Sequence, residues 1–317
     1  MKRVKTSTKC AGIDVGKRWL DVAVHGREET IRVANGAEGW AELTGWLGEQ
    51  EVRRVGLEAS GGYERQVRAA LEGAGFEVVV HQPLEVRLFA RLKRLRAKND
   101  RIDAVLIAAA TAQADAVKAA GDPRLQELAE RLTAYEQVAD QLAELKAFME
   151  HVRLKDVAAA LRAQIRSLKA LKERLAAKVV AGIKAHPDLL ERFSLLTSLT
   201  GMGPIVSAGL VVRMPELGHM KRGQAAALLG VAPFDRDSGQ YKGLRFISGG
   251  RRRPRRLVYL AALNAKRWDP TFKAVAERLA ARGKPPKLIL VAIMRRLIEA
   301  ANLVLARRQP WVRAAQT

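Results

Sequence analysis

The order of strand and helix signals in the N-terminal part of this chain limits its possible fold more than any other feature. Three short apolar segments come first and predict strands joined by tight turns, which is typical of an antiparallel meander. Two further predicted strands then alternate with predicted helices. The strands are expected at residues 10–15, 19–25, 29–35, 53–59 and 76–82, and the helices at residues 38–48 and 61–75. Since consecutive elements usually neighbour one another in space, this order predicts a mixed sheet with helices packed on it.

Four acidic residues occupy this framework where an RNase H-like nuclease needs them. Asp14 ends the first strand in CAGIDVGK, and Glu58 ends the fourth in RRVGLEAS. Asp100 and Asp103 lie three apart in KNDRIDAVLIAAA, so a helix would present both on one face. Converging carboxylates repel one another unless hard cations lie between them. The pattern therefore predicts an RNase H-like domain whose four carboxylates bind Mg²⁺ for phosphodiester chemistry.

Each carboxylate also has an ordinary structural explanation. An Asp or a Glu at the end of a strand is usually solvated. Asp100 is a good helix N-cap, and Asp103 complements the positive end of the helix dipole. Each explanation accounts for one residue, whereas the metal site accounts for all four in their order along the chain, so the metal site is the favoured interpretation.

The charge of the chain indicates a polyanionic partner. Its 317 residues carry a formal net charge of +23, which creates a positive field that attracts nucleic acid. Aromatic residues make up only 5%, so stacking on single-stranded bases is not the favoured mode. Two basic clusters stand out. The first lies around Asp100, mostly before it, and comprises Arg87, Arg91, Lys93, Arg94, Arg96, Lys98 and Arg101. The second is expected in a loop and comprises Lys242, Arg245, Arg251, Arg252, Arg253, Arg255 and Arg256.

Cysteine content and hydropathy favour a cytoplasmic protein. The single cysteine, Cys10, excludes an intrachain disulfide. No apolar run is long enough to span a bilayer, so a membrane is not an expected partner.

A long stretch without glycine or proline occupies the middle of the chain. The helix carrying Asp103 is expected to continue to about Ala120, before Gly121 and Pro123. Apolar residues at helical spacing then fill residues 124–181, which predicts either one long helix or two helices with a bend at HVRLKD. Such a segment could pack on its own domain or form a coiled coil between protomers.

The segment LLTSLTGMGPIVSAGLVV predicts a helix-hairpin-helix around Gly201-Met202-Gly203. In that motif the backbone N–H groups of the turn face a DNA phosphate. A plain glycine-rich helix connection is the alternative. The predicted division is a catalytic domain at 8–123, a helical coiled-coil segment at 124–184 and a mainly helical domain at 190–310.

At this point the motifs resemble a known family. GIDVGK, GLEASGGYE and KNDRIDA, followed by LTSLTGMGPIVSA and LLGVAPFDRDSGQYKGLRFISGGRRRPRRLVYLAA, look like the insertion-sequence-110 transposases. These DEDD-type recombinases include the Piv-type DNA invertases as relatives. The resemblance runs from about residue 10 to about residue 305, with both halves in the right order.

The resemblance implies a RuvC-like domain in which Asp14, Glu58, Asp100 and Asp103 bind Mg²⁺. It also implies a C-terminal transposase domain whose serine becomes covalently joined to a DNA 5′ phosphate. The family's Ser-Gly corresponds to Ser238-Gly239, although Gln240 stands where many relatives have a second glycine; Ser248 is the rival. Family members use a structured, non-coding bridge RNA that pairs with target and donor DNA, and they assemble as dimers of dimers with the catalytic parts brought together across protomers.

We therefore expect a transposase that cuts and rejoins double-stranded DNA through a phosphoserine intermediate, guided by a bridge RNA. A RuvC-like Mg²⁺-dependent nuclease or junction resolvase that acts by hydrolysis is the first alternative, and it predicts that Ser238→Ala retains DNA cleavage. A non-catalytic, basic nucleic-acid-binding protein is the second, and it predicts that Asp14→Ala changes no activity.

Overall fold

The computed structural model describes residues 8–93, 100–114, 122–235, 243 and 245–312, with the side chains of residues 100–102 left out. The chain forms two compact units, Met1–Ala120 and Gly121–Thr317, called here the first and second units. Among the described residues, no helix combines the length and the apolar character needed to cross a membrane.

In its described part, the first unit contains one five-stranded mixed sheet. Its strands are β1 (Cys10–Val15), β2 (Trp19–Val24), β3 (Thr30–Ala34), β4 (Arg54–Glu58) and β5 (Glu77–His81). They lie in the order β3-β2-β1-β4-β5. The first three strands pair antiparallel as a meander, while β4 pairs parallel with β1 and with β5. The five predicted strands and the mixed sheet are thus confirmed, whereas the RNase H-like assignment stays a prediction.

Helices cover both faces of this sheet. They are α1 (Ala37–Glu49), α2 (Glu64–Gly73), α3 (Pro83–Leu92) and α4 (Asp100–Ala112). Alternate strand residues such as Ile13 and Leu57 share a core with Leu43 of α1 and Leu71 of α2. The opposite face carries Gly12 and lies against α4. The α1 and α2 face is thus built from apolar side chains, as expected for strands with a period of two.

The backbone of α4 approaches β1 and β4 so closely that two strand positions require glycine. A Cβ added at Gly12 would overlap the amide nitrogen of Ala108 and the carbonyl oxygen of Ala104. A Cβ added at Gly56 would overlap the hydroxyl of Thr111. The conflict at Gly12 is with backbone atoms, so no side-chain rotation can relieve it.

The helix carrying Asp103 is shorter than predicted. It was expected to reach about Ala120, but α4 ends at Ala112. Gln113 N–H donates to the Ala110 carbonyl at 3.1 Å and Ala114 N–H to that of Thr111 at 3.2 Å, which tightens the last turn. The Ala114 carbonyl then accepts a bond from Arg54 Nη1 at 3.1 Å. This tertiary contact fixes the chain after Ala112 in a way that local helix propensity cannot reveal. Residues 115–121 lie outside the described residues.

The middle segment is a hairpin of two helices, α5 (Pro123–Met149) and α6 (Lys155–Lys184). The bend at residues 150–154 falls where HVRLKD predicted it, so the two-helix interpretation is confirmed. Leu132 of α5 and Ile183 of α6 belong to the core of the second unit. The base of the hairpin is therefore packed on its own unit, and a coiled coil between protomers stays a prediction.

The remainder of the second unit is mainly helical, as predicted. Its helices are α7 (Pro187–Thr197), α8 (Pro204–Arg213), α9 (Gln224–Leu229), α10 (Arg252–Trp268), α11 (Pro270–Ala281) and α12 (Pro286–Arg307). Two short strands, β6 (Pro233–Phe234) and β7 (Phe246–Ile247), pair antiparallel. The core is built chiefly from apolar residues of α7, α8, α10 and α12.

The glycine-rich turn between α7 and α8 has the expected helix–turn–helix order. Gly201 has a φ of +90°, and a Cβ there would overlap the carbonyl oxygen of Ala261. Met202 N–H donates to the Leu199 carbonyl at 3.0 Å and Gly203 N–H to that of Gly201 at 3.1 Å. Because these N–H groups already donate within the chain, they do not support phosphate binding by this turn, and the helix-hairpin-helix assignment stays a prediction.

The contact of α4 with β1 predicts a large difference between two glycine substitutions. Gly12→Ala places a methyl group against the α4 backbone, and we expect it to lower the free energy of unfolding by about 3 kcal/mol or more. Gly45→Ala, on the open face of α1, meets no atom within 4 Å and should stabilise the protein by up to about 1 kcal/mol. Urea denaturation of both variants measures this, and equal stabilities would refute the close contact.

Candidate active site

A row of polar residues crosses the α4 face of the sheet. Strand register pairs Arg32 with Asp21, Asp21 with Asp14, and Glu58 with His81. Ile13 pairs with Leu57 in the parallel ladder, so the residues that follow them, Asp14 and Glu58, are neighbours at the carboxyl ends of β1 and β4. Adjacent strands lie about 4.8 Å apart, which brings these two carboxylates to one edge of the sheet.

Helix α4 directs its first turn toward the same edge. The Ala114 carbonyl, just after the helix, bonds to Arg54 at the start of β4, and residues 104–108 cross Gly12 in the middle of β1. The helix therefore runs against the direction of these strands, and its N-terminal end points toward Asp14 and Glu58. Asp103 is half-buried and immediately precedes Ala104, whose carbonyl oxygen faces Gly12.

The structure accounts for the predicted metal ligands only in part. Asp14, Glu58 and Asp103 are each half-buried on elements that meet at this edge. Within the described residues, however, no group of three or more His, Cys, Asp or Glu side chains is placed to hold a metal ion. Asp100 opens α4, and its side chain lies outside the described residues. The four-carboxylate site thus stays a prediction. Its donors nevertheless fit Mg²⁺, which prefers carboxylate oxygens.

The carboxylate of Asp21, beside Asp14, is neutralised by an arginine. Arg32 donates from Nε and Nη2 to the two oxygens of Asp21, both at 2.9 Å. The side chain of Asp21 is only 13% exposed, so this bidentate pair offsets its charge in a partly desolvated position. Sequence reasoning missed Asp21 and Arg32. Pairing the predicted hairpin strands would have placed an arginine opposite Asp21, beside Asp14.

Asn35 connects the turn after Asp14 with the loop after Glu58. Its Nδ2 donates to the Gly16 carbonyl at 2.9 Å and to the Tyr63 carbonyl at 3.5 Å. Its Oδ1 accepts from Trp40 Nε1 at 2.9 Å. One amide therefore holds together the two segments that follow the paired strand ends. No local sequence pattern indicates this role, because the partners are distant along the chain.

Glu64 organises the loop that follows Glu58. Its Oε2 accepts from the Ser60 amide at 3.1 Å, the Ser60 hydroxyl at 3.0 Å and the Gly62 amide at 2.8 Å. Burial by itself raises the pKa of Glu64, but these hydrogen bonds to the charged form outweigh it and lower the pKa below its ordinary value. The loop is thus held by an ionised carboxylate.

Only part of the second basic cluster lies in the loop that its glycines suggested, because Arg245 and Arg251 precede α10 whereas the other described members are helical. Arg252, Arg253, Arg255 and Arg256 lie in the first turns of α10, with Pro254 among them. Proline is compatible with the first turn of a helix, since it has no N–H to leave unbonded there. A proline shortly after Gly249 and Gly250 can therefore belong either to a loop or to the start of a helix. Lys242 lies outside the described residues.

Much of this cluster makes contacts inside the second unit. Arg253 Nη1 donates to Glu136 Oε2 at 3.0 Å, and Arg255 Nη1 donates to the Gly249 carbonyl at 3.0 Å. Arg256 pairs with Asp140. The arginines therefore attach α10 to α5 and to the preceding loop, which is a structural role in addition to any role with nucleic acid.

The two candidate nucleophiles differ in what the structure describes. Ser238 lies outside the described residues. Ser248 is exposed directly after β7, ahead of Gly249 and Gly250, which have φ values of +64° and +72°. The choice between the serines stays a prediction.

Carboxylates at neighbouring ends of adjacent parallel strands can bind the divalent cations used in phosphodiester chemistry, and a net charge of +23 suits a nucleic-acid partner. A family model described as "Transposase", that of the DEDD-type IS110 transposases, matches residues 11–157. A second, described as "Transposase IS116/IS110/IS902 family", matches residues 193–277. The chain belongs to the IS110 family of transposases and DNA recombinases, which confirms the resemblance. Membership of this family means that the chain is an enzyme of DNA recombination and that it binds DNA.

Two curated relatives agree with this membership. The chain is 24% identical over 315 residues to the pilin gene-inverting protein of Moraxella bovis, covering 95% of this chain and 96% of that protein. The pilin gene-inverting protein of Moraxella lacunata matches with the same identity and the same coverage.

The hydrogen bonds of Glu64 predict a pH-dependent contribution to stability. Glu64→Gln removes the charge that its donors stabilise, so we expect a loss of about 1 kcal/mol at pH 7. Since the folded-state pKa lies below the unfolded-state pKa, this contribution is present above the unfolded value, about 4.3, and is lost as the pH falls through the folded value.

Urea denaturation of wild type and Glu64→Gln at pH 7 and at pH 3 tests this, with the exposed Glu49→Gln as the control. The difference between wild type and Glu64→Gln should shrink at the lower pH. A difference of the same size at both pH values would contradict the assignment.

Proposed function

We propose that this chain is the transposase of an insertion element, and that it cuts and rejoins double-stranded DNA at a Mg²⁺ site formed by Asp14, Glu58, Asp100 and Asp103. The observation that carries the proposal is the position of Asp14 and Glu58, each one residue after the register partners Ile13 and Leu57, at the sheet edge toward which α4 directs its first turn. Family membership supports the reaction class. The strand order and the α4 crossing support a RuvC-like, RNase H-like domain.

The carboxylates would act from two sides. Asp14 and Glu58 would bind the cations from the sheet, and Asp103 and Asp100 from α4. Bound divalent cations supply positive charge that stabilises the phosphoryl oxygens and the leaving 3′ oxygen. Arg32 neutralises Asp21, so Asp21 adds little negative charge to that of the proposed ligands. Asn35 and Glu64 hold the loops around them.

The nucleophile we propose is Ser238, in the Ser-Gly that follows GVAPFDRD. Its hydroxyl oxygen forms a bond to the scissile phosphorus, the bond from phosphorus to the 3′ oxygen breaks, and the 3′ oxygen leaves with a proton. The phosphoserine retains the energy of the phosphodiester, so a 3′ hydroxyl of another strand can displace the serine without ATP. Strand exchange and rejoining then follow from the reverse of the first step.

We further propose that a bridge RNA supplies the site specificity, by pairing with target and donor DNA, and that the protein assembles as dimers of dimers. The net charge of +23 is suited to holding more than one polyanion. Exposed basic residues of α3, Arg87 and Arg91, lie on the element before α4. The names of the Moraxella relatives state that those proteins invert a gene, which is a site-specific rearrangement of this class.

The covalent intermediate is the most direct test. Protein purified with its own RNA is incubated with Mg²⁺ and a DNA substrate nicked so that rejoining is blocked, and adducts are resolved on a denaturing gel. We expect an adduct with wild type and with Ser248→Ala. Ser238→Ala should lose it because the attacking oxygen is gone, and Asp14→Asn should lose it because a proposed metal ligand is neutralised. Ribonuclease treatment before the reaction should also abolish the adduct.

Each other outcome identifies a rival. DNA cleavage by Ser238→Ala without an adduct would establish hydrolysis by a RuvC-like nuclease. Loss of the adduct in Ser248→Ala alone would make Ser248 the nucleophile. Full activity of Asp14→Asn would remove the metal site, and full activity after ribonuclease would remove the RNA.

A further inference from the structure

A buried polar pair lies beneath the proposed site and is not explained by the chemistry above. Thr111 of α4 has no exposed surface, and His81 of β5 is 7% exposed. His81 Nε2 lies 2.9 Å from Thr111 Oγ1, and Thr111 Oγ1 donates to the Ile107 carbonyl at 2.7 Å. Because the hydroxyl has one proton, it accepts from His81, which places the proton of the neutral ring on Nε2. Burial lowers the pKa of His81, against an opposing effect of Glu85, which agrees with a neutral ring.

The absence of a side chain at Gly56 makes room for the Thr111 hydroxyl against the sheet. The Thr111 hydroxyl occupies the space that a Cβ of Gly56 would fill. Gly56 lies two residues before Glu58 on the same face of β4, and His81 is the register partner of Glu58 on β5. The threonine is therefore held by Gly56 of β4 and His81 of β5, and His81 is the strand neighbour of the proposed metal ligand Glu58.

Arg54 Nη1 bonds to the Ala114 carbonyl just after α4 ends, and apart from that bond the contact of α4 with its neighbours is mainly apolar. Ala104 and Ala108 meet Gly12 of β1, so small side chains and backbone face one another. Ile107 packs with Val86 of α3. Such apolar contacts are not directional, whereas the bond between His81 and Thr111 has a defined length and direction.

We infer that His81 and Thr111 are positioning residues that fix α4 along the sheet and thereby set where Asp103 and Asp100 stand relative to Asp14 and Glu58. This inference rests on the proposed metal site. Helix α4 is a rigid element, so a shift at Thr111 moves Asp103, about two turns away, by a similar distance. Divalent cation sites require ligand oxygens at defined distances, so a small shift weakens binding.

Thr111→Val and Thr111→Ser separate this role from simple packing. Valine has the shape of threonine but removes the hydroxyl, while serine keeps the hydroxyl and removes a methyl group. The intact chain is titrated with Mn²⁺, and free Mn²⁺ is measured by electron paramagnetic resonance, with Asp14→Asn defining background binding. We expect Thr111→Val to weaken Mn²⁺ binding about tenfold and Thr111→Ser to bind as wild type does. Thermal unfolding of each variant verifies that it is folded at the titration temperature.

Other results overturn the inference in distinguishable ways. Wild-type affinity in Thr111→Val, or equal weakening in Thr111→Val and Thr111→Ser, means that the hydroxyl does not position the helix. If wild type itself binds no Mn²⁺ above the Asp14→Asn background, the proposed metal site fails, and this inference fails with it. If Thr111→Val does not fold, His81→Leu takes its place. His81→Gln, which keeps an N–H donor for the Thr111 hydroxyl, is then its control.

Discussion

The backbone contact of α4 with β1 and β4 is the constraint on which the first unit depends. Gly12 and Gly56 allow the helix to lie closer to the sheet than any side chain would permit. Because the helix lies this close, Arg54 can bond to the Ala114 carbonyl just after it, and His81 can bond to Thr111. It also brings the first turn of α4 toward the strand ends that carry Asp14 and Glu58. The proposed chemistry therefore rests on two residues that have no side chain.

Electrostatics around this edge follow from the same arrangement. Asp21, Asp14 and Glu58 occupy neighbouring strands in one row, and like charges so placed disfavour the folded state unless they are offset. Arg32 offsets Asp21 through two hydrogen bonds. Divalent cations would add positive charge beside Asp14 and Glu58. Folding and cation binding are then coupled, because folding brings the carboxylates together and bound cations would offset their repulsion.

Sequence reasoning succeeded where the signal is local. Short apolar segments separated by turns located β1 to β5, and the bend between α5 and α6 was found within a helical pattern that contains no glycine or proline. It failed where the decisive partner is distant. Arg54 holds the chain just past the end of α4, where the sequence predicted a longer helix. Arg253 and Arg255, predicted in a loop, lie in α10 and bond to Glu136 and to the Gly249 carbonyl. Asn35, Glu64 and the pair of His81 with Thr111 were missed because their roles exist only after the strands are aligned.

The central claim is that Asp14, Glu58, Asp103 and Asp100 meet around divalent cations. Crystals of the protein soaked in Mn²⁺ and measured near the manganese absorption edge test it most directly, since anomalous scattering locates the ion independently of the protein atoms. The account predicts an anomalous peak about 2.0–2.4 Å from oxygens of Asp14 and Glu58, with Asp103 or Asp100 completing the shell from α4. A peak elsewhere, or no peak here while the α4 carboxylates turn away from the sheet edge, would contradict it.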